Sequence, residues 1–431
     1  MLFIHRARGS SIGLARMGGG TIALPSAAES GCSQPRAEGK AITNAVTAIS
    51  TQADSTLAGA ELGRRIREGF EGEPADAILV FGSARHDHRR LLEAMAEAAG
   101  TRLIVGSSSA GEFGSQHRGE GTASALGLRS ANMRFAIGVG RHLSDDPIAA
   151  AGQVVATFQG PVDTANPMPY HAALVMTDAL AGHADVVIEE LTMATGGNYR
   201  FFGGGAGDDA RFEKTWVFAG TEAFTNAVVA LEIRSMHPVG IGVAHGWVPA
   251  GKPCRVTETD GARLISLNGA PAVHAFEDHA ADTGQAFSRA DPMPFFLHNV
   301  LGIKEGEGYR LRVPLGIGAD GSILCAAAVP DRAIVRIMKT SQTSTIVAAE
   351  QATRAALQGL GNRQPAAALI FDCVATRLRL GVGFDDELKA CAALLAPAHY
   401  VGCNTHGQIA RAEGQFGGFH NCTAVVCAIP S

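Results

Sequence analysis

Ala77-Ile78-Leu79-Val80-Phe81 is an apolar stretch with no polar break. It is followed by Leu91, Leu92, Met95 and Ala99 at helical spacing, then by Leu103-Ile104-Val105-Gly106-Ser107-Ser108-Ser109-Ala110-Gly111-Glu112. An unbroken apolar run reads as a strand buried on both faces, and recurrence every three or four residues reads as an amphipathic helix. The same grammar returns twice. Ala172-Ala173-Leu174-Val175-Met176 and a helix through Val187, Ile188, Leu191 and Met193 lead to Phe201-Phe202-Gly203-Gly204-Gly205-Ala206-Gly207-Asp208. Ala367-Ala368-Leu369-Ile370-Phe371 and a helix through Leu388, Cys391, Leu394 and Leu395 lead to Tyr400-Val401-Gly402-Cys403-Asn404-Thr405-His406-Gly407-Gln408. Three β-α-β units thus each run into a glycine-rich turn, and a repeat of this kind decides the fold class.

Strand-like residues 124–128, 215–218 with 227–231, and 423–429 continue the units. The expected fold is therefore α/β, with repeated β-α-β units and additional antiparallel strands forming mixed sheets. Asp145-Asp146-Pro147 opens a further helix, with proline at the first helical position, and residues 341–360 form another that stops at Gly359 and Gly361. Between them, residues 239–243 and 254–258 read as strands and 272–279 as a helix. Residues 283–307, rich in Pro, Gly and charge, read as a connector or lid. This predicts two halves, 46–240 and 241–431. Residues 1–45 have no periodicity and no apolar leader core, and read as a disordered extension.

Composition narrows the function. The 431 residues are 46% hydrophobic, 18% charged and only 6% aromatic, with 53 glycines and a formal charge of -5. Such a chain buries a core without staples and carries no basic field for nucleic acid or anionic lipid. No stretch approaches the roughly 20 apolar residues of a membrane span. Eight dispersed cysteines with no CxxC pair indicate neither a zinc ribbon nor a disulfide framework, and fit a cytoplasmic location. The phosphate-binding, dinucleotide, metalloprotease and nucleophile-elbow motifs are all absent, so the chain reads as a non-enzyme.

The segments 105–112, 202–208 and 401–408, together with Phe371-Asp372-Cys373-Val374-Ala375-Thr376-Arg377 and Phe419-His420-Asn421-Cys422-Thr423, resemble the FIST (F-box and intracellular signal transduction) sensory proteins. The resemblance spans roughly residues 50–430, in the order FIST N-terminal module then FIST C-terminal module. It implies a sensor of a small ligand, with amino acids among the suggested ligands, signalling to a separate protein such as a histidine kinase or a cyclic-di-GMP enzyme. Some members look like haem proteins that sense nitric oxide, which gives the alternative; an unrecognised enzyme working through Ser108, Asp372 or Arg377 is a third. The chain departs from the family where His406 and Gln408 replace an aromatic residue and a glutamate, and where Asp372 replaces a serine.

In open α/β sheets ligands lie beyond the carboxyl ends of strands. The candidate ligand-binding residues are therefore Gly106, Ser107, Ser108, Gly111, Gly203, Gly204, Gly205, Asp208, Gly402, Asn404 and Thr405, whose glycines permit close approach and whose polar groups suit a zwitterion. Against this stands the plainer reading of tight turns in a repeated fold. Cys373 and Arg377 join the set, the arginine as a clamp for a carboxylate or as half of a loop-closing pair with Asp372. His406 and His420 complete it as the imidazoles an axial haem bond would use. Cys373, Cys403, Cys422 and Cys427 converge if the third sheet gathers its strands, with a thiol role weighed against simple apolar packing. The turns are expected to enclose one common cavity.

Overall fold

The computed structural model describes residues 43–115, 117–158, 168–411 and 418–431. Of the expected extension 1–45, residues 1–42 lie outside the described residues, while Thr43 to Ala45 already belong to a strand.

Each repeated unit begins one strand and one helix earlier than its apolar signal. The first comprises β1 (Thr43–Ser50), α1 (Ser55–Gly69), β2 (Ala77–Ser83), α2 (His88–Ala99), β3 (Ile104–Ser109), β4 (Glu112–Gly114), β5 (His117–Gly119) and β6 (Ala123–Ser130). The second repeats this order: β7 (Met133–Arg141), α3 (Pro147–Val155), β8 (Tyr170–Thr177), α4 (Ala184–Ala194), β9 (Tyr199–Gly205), β10 (Val217–Ala219), β11 (Glu222–Phe224) and β12 (Ala227–Ser235). The third starts with β13 (Gly240–Ala244) and is then interrupted by an insert. The insert contains β14 (Val248–Pro249), β15 (Cys254–Asp260), β16 (Arg263–Leu267), β17 (Ala270–Pro271), α5 (Ala272–Thr283), α6 (Met293–Phe296), β18 (Val300–Glu305), β19 (Gly308–Arg312), β20 (Pro314–Ile317), β21 (Ile323–Cys325) and β22 (Ile334–Lys339). The unit resumes with α7 (Gln342–Gly359), β23 (Pro365–Cys373), α8 (Val374–Leu380), α9 (Phe384–Leu395), β24 (His399–Thr405), β25 (Gln408–Arg411), β26 (Phe419–His420) and β27 (Ala424–Pro430).

Local chemistry sets the helix ends. Asp87 accepts the Arg90 amide at the start of α2, and Gly100 closes the helix at φ 73°. Asp146 with Pro147 opens α3, and a capping box between Ser341 and Ser344 opens α7.

The three sheets of the repeated units are mixed, and each borrows a hairpin from another unit, while a fourth, nine-stranded sheet in the insert is antiparallel. The strand orders of the three are β1-β6-β2-β3-β10-β11, β7-β12-β8-β9-β25-β26 and β13-β27-β23-β24-β4-β5. The hairpin after the first turn thus joins the third sheet, the hairpin after the second joins the first, and the hairpin after the third joins the second. This cyclic exchange draws the three turns to one place.

One face of each of these three sheets turns into a shared core, to which Leu79, Phe81, Leu174, Phe202, Leu369 and Phe371 contribute. The other face is covered by helices: α1 and α2 on the first sheet, α3 and α4 on the second, α7 and α9 on the third. Burial on both faces is why β2, β8 and β23 read as unbroken apolar runs.

The insert builds its own core around Val256, Leu264, Phe276, Phe296 and Val335. Its ends pair with each other, Val248 against Lys339, so the chain enters and leaves side by side. Residues 283–307 are not a plain connector, because they include α6 and β18, a strand paired on both sides. Gly302 interrupts the apolar run of β18; a Cβ there would come within 2.6 Å of the Met338 side chain.

Candidate functional site

Gly106, Gly203 and Gly402 occupy equivalent places, each beside the preceding parallel strand of its unit. A Cβ there would lie 1.7, 2.1 and 2.1 Å from the carbonyl oxygens of Val80, Val175 and Ile370. Only glycine lets the second strand approach this closely.

Beyond these glycines the turns bond to one another in a closed ring. Ala110 and Asn404 amides donate to the carbonyls of Asn404 and Gly111 at 2.9 and 2.8 Å. His406 and Gly205 amides donate to Gly205 and Gly407 at 3.0 and 2.9 Å, and Gly207 and Asp209 amides donate to Ser108 and Ser109 at 2.9 and 3.1 Å. Each pair of turns is therefore joined by two backbone hydrogen bonds.

The ring brings the turn residues together, and among the described residues they are packed closely against one another. Ser107, Ser108 and Thr405 are fully buried, and Asn404 is nearly so. The Ser108 hydroxyl exchanges hydrogen bonds with the backbone of Trp216, and Thr405 donates to the Asp372 carbonyl. A Cβ on Gly204 or Gly205 would strike the carbonyl of Gly407 or His406, and Gly111 packs on the Asn404 side chain. Ser107 Oγ and Asn404 Nδ2 are buried without hydrogen-bond partners.

Asp208 is committed to its own loop, where its carboxylate accepts the amides of Phe212, Glu213 and Lys214 at 2.9, 2.6 and 3.0 Å. These bonds hold Asp209, Ala210 and Phe212 in left-handed conformations. Arg377 does not pair with Asp372; it binds Glu120, while Asp372 faces Glu387. Burial raises the pKa of both of those carboxyls. His420 directs Nε2 at the Ala410 carbonyl, 3.0 Å away.

One cavity touches the ring on its outer side. Its volume is about 100 Å³. Ala179, Leu180 and Phe212 of the second unit, Met293, Leu297, Val313, Leu315 and Ala326 of the insert, and Cys373, Val374, Ala375, Leu378, His406, Gly407 and Asn421 of the third unit form its wall. Leu180, Phe212 and Leu378 are exposed and mark its mouth. Of the candidate residues only His406 and Cys373 reach it. The His406 ring stacks on Phe212, centroids 4.3 Å apart, and its Nε2 lies 3.5 Å from Asp208 Oδ1. Neither ring nitrogen completes a hydrogen bond, nor does Asn421 Oδ1. Burial pushes the His406 pKa down to about 4, so the imidazole is neutral at physiological pH, with a hydrogen on one nitrogen and a free lone pair on the other.

Asn421 and the insert side chains were not among the candidates. The motif 419–423 pointed toward the former; nothing in the sequence marks Met293 or Ala326 as neighbours of His406.

Haem does not fit this site. At about 100 Å³ the space holds far fewer non-hydrogen atoms than a haem has, and His420 is turned to a backbone carbonyl. Among the described residues no group of three or more His, Cys, Asp or Glu side chains is arranged to hold a metal ion. No helix among them is long and apolar enough to cross a membrane.

Two domain models match the chain, the FIST N domain over residues 76–270 and the FIST C domain over residues 272–411. They meet inside the insert, between β17 and α5. Two uncharacterized proteins of Mycobacterium tuberculosis, from strains CDC 1551 / Oshkosh and ATCC 25618 / H37Rv, are each 24% identical over 387 residues, covering 87% of this chain and 97% of the relative. The solved structure of PurLQS from Thermotoga maritima aligns with a TM-score of 0.21 at 11% identity, over 90% of this chain and 73% of that one. The chain belongs to the FIST family of sensory-domain proteins, with a FIST N domain followed by a FIST C domain.

Proposed function

We propose that this protein senses a small amphiphile, of which an apolar amino acid is the leading case, in the cavity beside His406. The observation that carries this reading is a solvent-reaching apolar space lined by His406 and Asn421, whose buried ring nitrogens and Oδ1 complete no hydrogen bond. Buried polar groups normally find hydrogen-bond partners, so unpaired ones on residues that line a cavity are a place for a ligand to bind. At roughly 10–15 Å³ per water-sized group, the space admits a ligand of fewer than about ten non-hydrogen atoms. The imidazole N–H suits a carboxylate, Asn421 Oδ1 suits an ammonium, and Met293 and Leu297 suit an aliphatic side chain.

The wall joins the second unit, the insert and the third unit, so a ligand preferring one packing of these parts shifts the population toward it. A separate cytoplasmic signalling protein, such as a histidine kinase or a cyclic-di-GMP enzyme, then reads that packing. The test is thermal denaturation of the native chain and of His406→Phe with leucine, valine, isovalerate or aspartate at millimolar concentration. Leucine or valine should raise the native midpoint, leave the variant unmoved and exceed aspartate. No shift from any of the four, or equal shifts in both proteins, overturns the reading.

A further inference from the structure

Cys373 ends β23, and Cys422 lies in the link between β26 and β27. The two side chains share one buried cluster with Trp247, Val313 and Met338, and each sulfur bears on the ionisation of the other. Cys403 and Cys427 lie apart from them, in the core common to the three sheets. Cys373 also lines the cavity beside His406, which gives a small reagent a route to a residue that is otherwise 3% exposed.

Two further features distinguish this pair from ordinary buried cysteines. Cys422 holds φ at 50°, a left-handed conformation rare for a residue with a side chain and common where function fixes the backbone. The pair is also polarised. Hydrogen bonding from Cys422, together with its backbone amide and that of Ala375, lowers the Cys373 pKa, whereas the bond to Cys373 and burial raise that of Cys422. One thiol readier to ionise beside one that stays protonated is the arrangement of an attacking and a resolving cysteine. Arg379 places a positive charge near Cys422, and Asp372 places an acidic group near both sulfurs.

We propose that Cys373 and Cys422 form a peroxide-reactive dithiol at the cavity. The Cys373 thiolate attacks one oxygen of a hydroperoxide; the O–O bond breaks, the sulfur becomes a sulfenic acid, and the other oxygen leaves as water or an alcohol after taking a proton. The Cys422 sulfur then attacks Cys373, a disulfide forms, and the sulfenic oxygen departs as water with the Cys422 proton. Two thiols are oxidised by two electrons and one hydroperoxide is reduced. The proposal does not depend on the ligand reading, because it uses only the two sulfurs and their access.

The experiment treats the native, folded chain with stoichiometric hydrogen peroxide and maps its cysteines by mass spectrometry without reduction. Cys254 is the internal comparison, as the one cysteine among the described residues that is not buried. The expected result is a linked peptide pair containing Cys373 and Cys422, formed while Cys254 is still free. In Cys422→Ser a sulfenic-acid trap should mark Cys373, whereas in Cys373→Ser Cys422 should stay unmodified. Oxidation of Cys254 with both Cys373 and Cys422 still reduced, or linkage only after denaturation, overturns the proposal; the native chain alone distinguishes these results should a variant fail to fold.

Discussion

The Asn404 amide donates to the Gly111 carbonyl at 2.8 Å, tying the third turn to the first, and the Ala110 amide returns a bond to the Asn404 carbonyl at 2.9 Å. The other two junctions repeat this double bond. The turns therefore act as a rigid hub, and the cavity lies where the hub meets the insert.

Close approach of the paired strands explains the repeated glycines, and it is testable at one of them. Gly106→Ala places a methyl group 1.7 Å from the Val80 carbonyl oxygen, so the strands must separate. The variant should lose about 3 kcal/mol or more in chemical denaturation. Gly152, inside α3 with no neighbouring atom within 4 Å, is the control. Gly152→Ala should gain about 0.5–1 kcal/mol.

Much of this was legible in the sequence, for a physical reason. Strands buried on both faces leave apolar runs, and an approach that admits no side chain leaves glycine, so three units and three turns could be read directly. The edge strand β1 was not, because polar residues such as Asn44 and Thr47 break the apolar signal. The exchange of hairpins was not either. Strands as short as Glu112–Gly114 pair through backbone groups, and nothing in their side chains names the partner sheet. Within the site, His406 and Cys373 were visible as motif residues, while the apolar wall comes from residues 293–326, which only the fold brings near.

Asp208 holds the loop that carries Phe212 onto His406. Asp208→Ala leaves the amides of Phe212, Glu213 and Lys214 without their acceptor and should cost about 2–4 kcal/mol. Hydrogen exchange should accelerate at those three amides more than in β9. Unchanged exchange there contradicts the assignment.

His406 makes stability depend on pH. Its folded pKa is about 4 against 6.5 in the unfolded chain, so between those values the unfolded chain binds a proton that the folded chain refuses. Stability falls as pH drops through that window, by roughly 1.4 kcal/mol per unit. His88 has the same sign and Glu112 the opposite, so the informative quantity is the difference between proteins. On acidification from about pH 7 to about pH 5, His406→Phe should lose about 1–2 kcal/mol less than the native chain. Parallel curves contradict this.

Glu112 is fully buried among Ser109 and Thr122, and burial pushes its pKa up to about 7 from 4.5. The folded chain takes up this proton before the unfolded one does, so the contribution is favourable in acid and lost as pH rises through 7. Gln408 occupies the equivalent place in the third unit, between Thr405 and Thr423. Glu112→Gln should therefore be nearly neutral at about pH 5 and stabilising by about 1–3 kcal/mol at about pH 8. Equal effects at the two pH values contradict the shift.

The hub itself is tested most directly by native-state hydrogen exchange at the amides of Ala110, Gly205, Gly207, Asp209, Asn404 and His406. If the three turns form one bonded ring, all six exchange at a common slow rate, matching Leu369 in the central core. Fast exchange, or three separate rates grouped by turn, would contradict the ring and the site built upon it.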